Sequence, residues 1–187
     1  MMVTEIFRSI QGESTHAGLP CIFVRLTGCN LRCTWCDTAY AFHGGTKMSI
    51  EEIISRVDDL SSVKKDQRAA IATSDRAISL VELTGGEPLL QPDAIPLAKK
   101  LLDAGYTVLI ETSGERPIAE LPREVIKILD VKCPDSGEPD TFRMENLDAI
   151  GDKDEIKFVI SSRRDYEFAR DFMRQHGLRL LALLIGQ

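Results

Sequence analysis

The chain has 187 residues, with 23 Lys+Arg against 29 Asp+Glu and a formal net charge of −6. That length can bury one sizeable core, and 43% hydrophobic with 28% charged residues excludes a disordered chain. The acidic balance argues against direct nucleic-acid binding, and neither a span of roughly 18 apolar residues nor a signal-peptide stretch in MMVTEIFRSIQGEST is present. The expectation is one cytoplasmic domain over residues 1–187, without a membrane partner.

In chain order, Val3 to Ser9 reads as a β-rich piece followed by the polar turn Gln11-Gly12-Glu13-Ser14. Cys21 to Leu26 is an apolar strand that runs into Gly28 and three clustered cysteines. Met48 to Leu60 is an amphipathic helix: Ser49 and Glu52 form a capping box, and Ile50, Ile53, Ile54, Val57 and Leu60 share one face. Residues 61–77 are polar and poorly periodic, and read as a loop or a frayed helical insertion. Ile78 to Leu83 is a strand ending at Gly85-Gly86, and Pro92 to Ala104 is a helix closed by Gly105. Strands follow at Tyr106 to Ile110, Val125 to Val131 and Ile156 to Ile160, then a helix from Arg163 to His176 and a last strand from Leu178 to Ile185.

This alternation predicts an α/β fold with parallel strands. The links after the third and fourth strands are short, and a full eight-fold barrel typically takes about 250 residues. The expected architecture is therefore an open, partial β/α barrel of about six parallel strands with few full-length helices. In such folds chemistry sits beyond the carboxyl ends of the strands. The polar motifs lie at those ends: the cysteines, Gly85-Gly86-Glu87, Glu111-Thr112-Ser113-Gly114 and Asp130-Val131-Lys132.

Five cysteines without an export signal argue against a disulfide framework. Cys29, Cys33 and Cys36 have the spacing C-x3-C-x2-C. Structural zinc and electron-transfer iron–sulfur sites usually take four ligands, whereas the local count here is three. Three thiolates on a four-iron cluster leave one iron open. The alternative is a zinc site completed by His43, Cys21 or Cys133, although Cys21 and Cys133 also read as plain buried thiols.

The C-x3-C-x2-C run with Trp35 before its last Cys, followed by Gly85-Gly86-Glu87 after the next parallel strand, resembles the radical S-adenosylmethionine superfamily. Closer resemblance lies in S-I-Q-G-E at 9–13, R-L-T-G-C-N-L-R-C-T-W-C-D-T at 25–38 and T-G-G-E-P-L-L-Q at 84–91. These segments resemble the family of 7-carboxy-7-deazaguanine synthases, over residues 3 to about 177. The resemblance implies a [4Fe-4S] cluster, S-adenosyl-L-methionine and Mg²⁺ as cofactors. It implies a lyase that converts 6-carboxy-5,6,7,8-tetrahydropterin to 7-carboxy-7-deazaguanine with loss of ammonia, in queuosine and 7-deazapurine biosynthesis. A reductant such as flavodoxin or ferredoxin and a homodimeric assembly are implied as well.

Carried over by matching motif, Cys29, Cys33 and Cys36 would hold the cluster and Thr38 the Mg²⁺. Trp35, Gly85, Gly86, Ser113, Lys132 and Ser136 would contact S-adenosylmethionine. Ile10, Gln11, Gly12, Glu13, Arg25 and Thr84 would bind the pterin. Each has a plainer reading beside it. Arg25 in an apolar strand fits a structural ion pair, Gln11-Gly12-Glu13 a hairpin turn, and Gly85-Gly86 a βα turn. Lys132 reads equally as a solvated lysine and Thr38 as a surface hydroxyl. Departures from the family pattern are Ser14 in place of a frequent Gly, the 61–77 segment, and the end of the chain after Gly177, where family members usually add a helix and strand.

Overall fold

A strand that is apolar on both faces needs cover on both. The computed structural model describes residues 1–62 and 78–178 and the backbone of 182–185. The elements are β1 (Met2–Ile10), β2 (Pro20–Leu26), β3 (Thr46–Lys47), α1 (Ile50–Ser61), β4 (Leu80–Gly85), α2 (Ala94–Asp103), β5 (Thr107–Thr112), β6 (Ile126–Asp130), β7 (Glu155–Ile160), α3 (Arg163–Gln175) and β8 (Ala182–Ile185). They form one sheet in the order β3-β1-β2-β4-β5-β6-β7-β8. From β2 through β8 every pairing is parallel, which supplies the six parallel strands expected.

The sequence reading left the pairing of the first strand open. In the structure β1 is antiparallel to β2 and to the short edge strand β3. The reason is length: residues 11–19 are fewer than the dozen or so a parallel crossover needs. Element ends shift by a residue or two. The first helix begins at Ile50 because Ser49 is its cap, accepting from Glu52 N while the Glu52 carboxylate accepts from Ser49 N at 2.7 Å. Residues 63–77 of the expected insertion and 179–181 of the expected last strand lie outside the described residues.

One face of the sheet carries the main core, where Ile22, Val24, Val81, Leu83, Val108 and Ile110 cluster with Ile53 and Val57 of α1 and Leu97 and Leu101 of α2. On the other face a smaller cluster of Cys21, Leu80, Leu109, Ile126 and Ile128 fills only the early strand positions. Two residues further along the same face stand Phe23, Glu82, Glu111 and Asp130. So the concave side is a dry plug at one end and polar at the other.

The loop 11–19 closes this concavity. Thr15 donates to Glu155 Oε1 through its N at 3.1 Å and its Oγ1 at 2.6 Å. Lys157 Nζ donates to Glu13 Oε2 at 2.6 Å. In a flat sheet β2 and β7, four strand spacings apart in the order, would be separated by about 19 Å. The loop reaches β7 because the sheet curls around it.

Ser49→Ala removes the side-chain acceptor for Glu52 N, and the loss is expected to be about 1 kcal/mol. Thermal unfolding should show a melting temperature lower by roughly 2–4 °C; an unchanged one would mean the cap contributes nothing.

Candidate active site

β2 ends at Leu26, and Gly28, at φ 104°, turns the chain into the loop that carries Cys29, Cys33 and Cys36. The loop is held at several points. Gly28 N donates to Ala41 O at 2.8 Å, and Thr34 donates to Ser136 O through its N at 2.7 Å and its Oγ1 at 3.0 Å. Arg32 Nη1 donates to the carbonyls of Cys29 at 2.9 Å and Leu31 at 2.7 Å, with its guanidinium 4.3 Å from the Phe42 ring centre. All three thiols are free, half-buried and lining one cavity. Burial raises the pKa of Cys29 and Cys33, and the Lys132 ammonium works in the opposite direction. A cation beside them favours the thiolates that ligate iron.

The remote cysteines do not complete a zinc site. Cys21 is fully buried at the start of β2, about 17 Å of extended strand from Leu26. Cys133 is buried in the helix-side core, and burial pushes its pKa up to about 12. His43 is exposed. Among the described residues no three His, Cys, Asp or Glu lie close enough to hold one metal ion. A set of three thiols on one loop fits a four-iron cluster that keeps one iron for another ligand.

The turn after β4 passes directly against this loop. Gly86 N donates to Leu26 O at 3.3 Å and Glu87 N to Gly28 O at 2.8 Å. A Cβ on Gly86 would lie 2.2 Å from Gly28 O and 2.7 Å from Cys29 Cβ; one on Gly85 would lie 2.2 Å from Leu26 O. Glycine is required here by close approach of two backbones. The Glu87 carboxylate, 1% exposed, then ties the turn to the end of β5. Its Oε1 accepts from Thr112 Oγ1 at 2.8 Å and Leu89 N at 3.0 Å, and its Oε2 from Ser113 N and Oγ, each at 2.8 Å. Its role is to fix Ser113 and the Gly-Gly turn relative to each other.

The polar end of the concave face completes the cavity, which encloses about 560 Å³. Lys157 Nζ bridges Glu13 at 2.6 Å and Glu111 at 2.5 Å. Burial works against its charge, but the carboxylates of Glu111, Asp130 and Glu13 outweigh it and hold the pKa above the usual lysine value. Lys132 pairs with Asp130 Oδ2 at 2.7 Å, and Asp130 Oδ1 is buried without a hydrogen-bond partner among the described residues. Gln11 Nε2 donates to Glu82 Oε2, and Gln11 Oε1 accepts from Glu13 N at 3.1 Å. Burial first, and the Glu111 charge second, raise the Glu82 pKa to about 8. Arg25 donates through Nε to Glu5 Oε1 at 2.8 Å and lies 5.8 Å from the ring centres of Phe7 and Tyr40. It makes the structural ion pair and lines the cavity as well.

Of the residues expected from sequence, Cys29, Cys33, Cys36, Trp35, Thr38, Gly85, Gly86, Ser113, Lys132, Gln11, Gly12, Glu13, Arg25 and Thr84 all line this cavity. Two do not. Ile10 is 64% exposed at the end of β1, and Ser136 is wholly buried, accepting from Glu138 N through Oγ at 3.1 Å. Ser136 acts on the site through its carbonyl, which holds Thr34. Thr38 Oγ1 lies 3.5 Å from Gly85 O and 3.8 Å from Cys36 Sγ. The sequence reading missed Glu82, Glu111 and Lys157 as site residues. Their signal was present: each is a charge in a strand whose opposite face carries apolar residues.

A curled parallel sheet with three thiols on the loop after its first parallel strand, facing a Gly-Gly turn after the next, defines a radical S-adenosylmethionine enzyme. The family model described as the Radical SAM superfamily matches residues 23–133. A 7-carboxy-7-deazaguanine synthase of Koribacter versatilis is 58% identical over 179 residues, covering 95% of this chain and 73% of that protein. One of Thermoplasma acidophilum is 38% identical over 179 residues, covering 95% of this chain and 78% of its own. The crystal structure of QueE from Escherichia coli superposes with a TM-score of 0.70 at 24% identity, over 93% of this chain and 76% of that one, which bears on the fold alone. The chain belongs to the radical SAM superfamily and, within it, to the 7-carboxy-7-deazaguanine synthases.

Gly86→Ala drives a methyl group into Gly28 O and must displace the cysteine loop. The expected variant keeps a native-like circular dichroism spectrum but binds well under half the wild-type iron on anaerobic reconstitution. Full iron loading would show that the close approach does not position the thiols.

Proposed function

We propose that the enzyme converts 6-carboxy-5,6,7,8-tetrahydropterin to 7-carboxy-7-deazaguanine with loss of ammonia, using a [4Fe-4S] cluster, S-adenosylmethionine and Mg²⁺. The observation that carries this reading is the joint lining of one cavity by the three-thiol loop, the Gly85-Gly86 turn and the Gln11–Glu13 segment. When bound, the cluster and S-adenosylmethionine supply a 5′-deoxyadenosyl radical. The chain's own residues bind, orient and exclude water.

Cys29, Cys33 and Cys36 hold the cluster. Trp35, Gly85, Gly86, Ser113 and Lys132 surround S-adenosylmethionine, and Asp130 Oδ1, without a partner among the described residues, offers an acceptor to one of its hydroxyl or amino groups. Ser136 contributes by fixing Thr34. On the substrate side, Arg25 meets the pterin carboxylate with the free edge of its fork, and Gln11, Gly12, Glu13 and Thr84 line the heterocycle. Ile10 supplies backbone only. Thr38 offers one hydroxyl to Mg²⁺, which keeps most of its waters and needs few protein ligands.

The continuous sheet from β1 to β8 supports reading the chain as one domain. No helix among the described residues is long and apolar enough to cross a membrane. The reading includes a homodimer and a one-electron reductant of the flavodoxin or ferredoxin kind. Sedimentation velocity should give twice the 20.8 kDa chain mass; a single 20.8 kDa species would remove the dimer.

Anaerobically reconstituted enzyme with dithionite should form 5′-deoxyadenosine and 7-carboxy-7-deazaguanine only when the pterin is present. Thr38→Ala should raise the Mg²⁺ concentration for half-maximal turnover at least about tenfold. No pterin-dependent product would overturn the substrate assignment; an unchanged Mg²⁺ response would remove Thr38 from the metal.

A further inference from the structure

Of the three acids that the sheet contributes to the cavity lining, Glu82, Glu111 and Asp130, only Glu82 is held by no cation among the described residues. Lys157 binds Glu13 and Glu111, Lys132 binds Asp130, and Arg25 binds Glu5. Glu82 is 2% exposed, lines the cavity, and stands between Phe23 of β2 and Leu109 of β5 in the sheet register. Its only side-chain hydrogen bond among the described residues is the one that Gln11 Nε2 donates to Oε2. Gln11 cannot turn its amide over without losing the bond from Glu13 N to Oε1. One carboxyl oxygen is therefore fixed as an acceptor, and the other is left for whatever enters the cavity.

We propose that Glu82 is a specificity-determining residue that meets the substrate as a neutral carboxylic acid, donating its hydroxyl to a ring acceptor while Gln11 holds its other oxygen. The proposal rests on the pterin reading above. It gives the cavity floor a donor among anionic acceptors, Glu13 and Glu111, which would otherwise accept only from N–H groups. A ligand edge with both N–H donors and a carbonyl or ring-nitrogen acceptor matches that mixed set. An edge without the acceptor leaves the buried hydroxyl unpaired, which is where discrimination arises.

The groups facing Glu82 favour this state. Glu111 from β5 and Glu13 from the loop repel an added negative charge, while Lys157 from β7 attracts it but is already shared by both of them. Cys21, two positions before Phe23 on β2, has its pKa pushed to about 12 by burial and by Glu82, so it stays neutral as Glu82 titrates. Asp130 on β6 is neutralised by Lys132, and Arg25 further along β2 by Glu5.

The test uses reconstituted enzyme with S-adenosylmethionine and no reductant, so that 6-carboxytetrahydropterin binds without turnover. Calorimetry from pH 6 to 9 should show wild-type affinity level below about pH 7.5 and falling above it, toward roughly tenfold per pH unit. In E82Q the introduced amide accepts from Gln11 and donates to the ligand at every pH. Its affinity at pH 7 should lie within about threefold of wild type, with no alkaline fall. E82A should bind at least about tenfold more weakly throughout. An alkaline fall in E82Q equal to that of wild type, or wild-type binding by E82A, overturns the proposal.

Infrared difference spectra of the unliganded protein at pH 7 give a readout free of the substrate's identity. A protonated-carboxyl band present in wild type and lost in E82Q supports the neutral acid, and its absence overturns it. Wild-type protein that binds S-adenosylmethionine but not the pterin would instead overturn the substrate assignment, and the infrared band would still decide the state of Glu82.

Discussion

The Lys157 ammonium, with Glu13 of the β1–β2 loop 2.6 Å to one side and Glu111 of β5 2.5 Å to the other, is the contact on which the concave face depends. Its side chain is 8% exposed, and a charge so far from water is tolerated only when paired. The two carboxylates meet that need and in return acquire a fixed separation. One of them belongs to the loop that crosses the curled sheet, so a single ion-pair triad joins the closure of the barrel to the shape of its cavity. Thr15 and Glu155 repeat the join two residues earlier on β7. With Lys157 already shared between Glu13 and Glu111, Glu82 on the same face has no ion pair among the described residues and is governed chiefly by burial.

A second constraint acts at the mouth, and it is steric. The cysteine loop and the Gly85-Gly86 turn share space that no side chain can enter, since a Cβ on either glycine would meet backbone at 2.2 Å. Glu87 carries that placement across to Thr112 and Ser113 through three accepted hydrogen bonds. Ser136 O carries it to Thr34 from the loop after β6. The thiols thus sit on a loop that is irregular in conformation yet tied to three strand ends. Rigid support of this kind is what a cluster site demands, because a ligand loop free to move would leave the thiolates unorganised.

The legible parts of the sequence were those whose physics is local. Ser49 and Glu52 announce a helix start within four residues; Val81 and Leu83 or Val108 and Ile110 announce buried strands; C-x3-C-x2-C announces its own loop. What escaped depended on the other side of the sheet. Glu82, Glu111 and Lys157 come from three strands spread over 76 positions, and only the parallel register sets them around one cavity. The antiparallel turn of β1 escaped for the same reason, since its partner is chosen by loop length and tertiary closure. Ile10 and Ser136 show the limit of a motif: it marks a neighbourhood, and the end of β1 leaves the Ile10 side chain exposed while the turn after β6 buries that of Ser136.

The cost of this arrangement argues for its purpose. A concave face filled with leucines and isoleucines, as its first layer already is with Leu80, Leu109, Ile126 and Ile128, would be at least as stable as one holding buried charge. Replacing well-packed apolar groups with a triad, a lysine–aspartate pair and an unpaired acid gains nothing for folding. It produces a cavity with donors and acceptors fixed in advance, so that binding a polar heterocycle requires little reorganisation of the protein. The sharp boundary between the apolar layer and the polar one, two residues apart on each of three strands, is therefore a boundary between what the fold requires and what the chemistry requires.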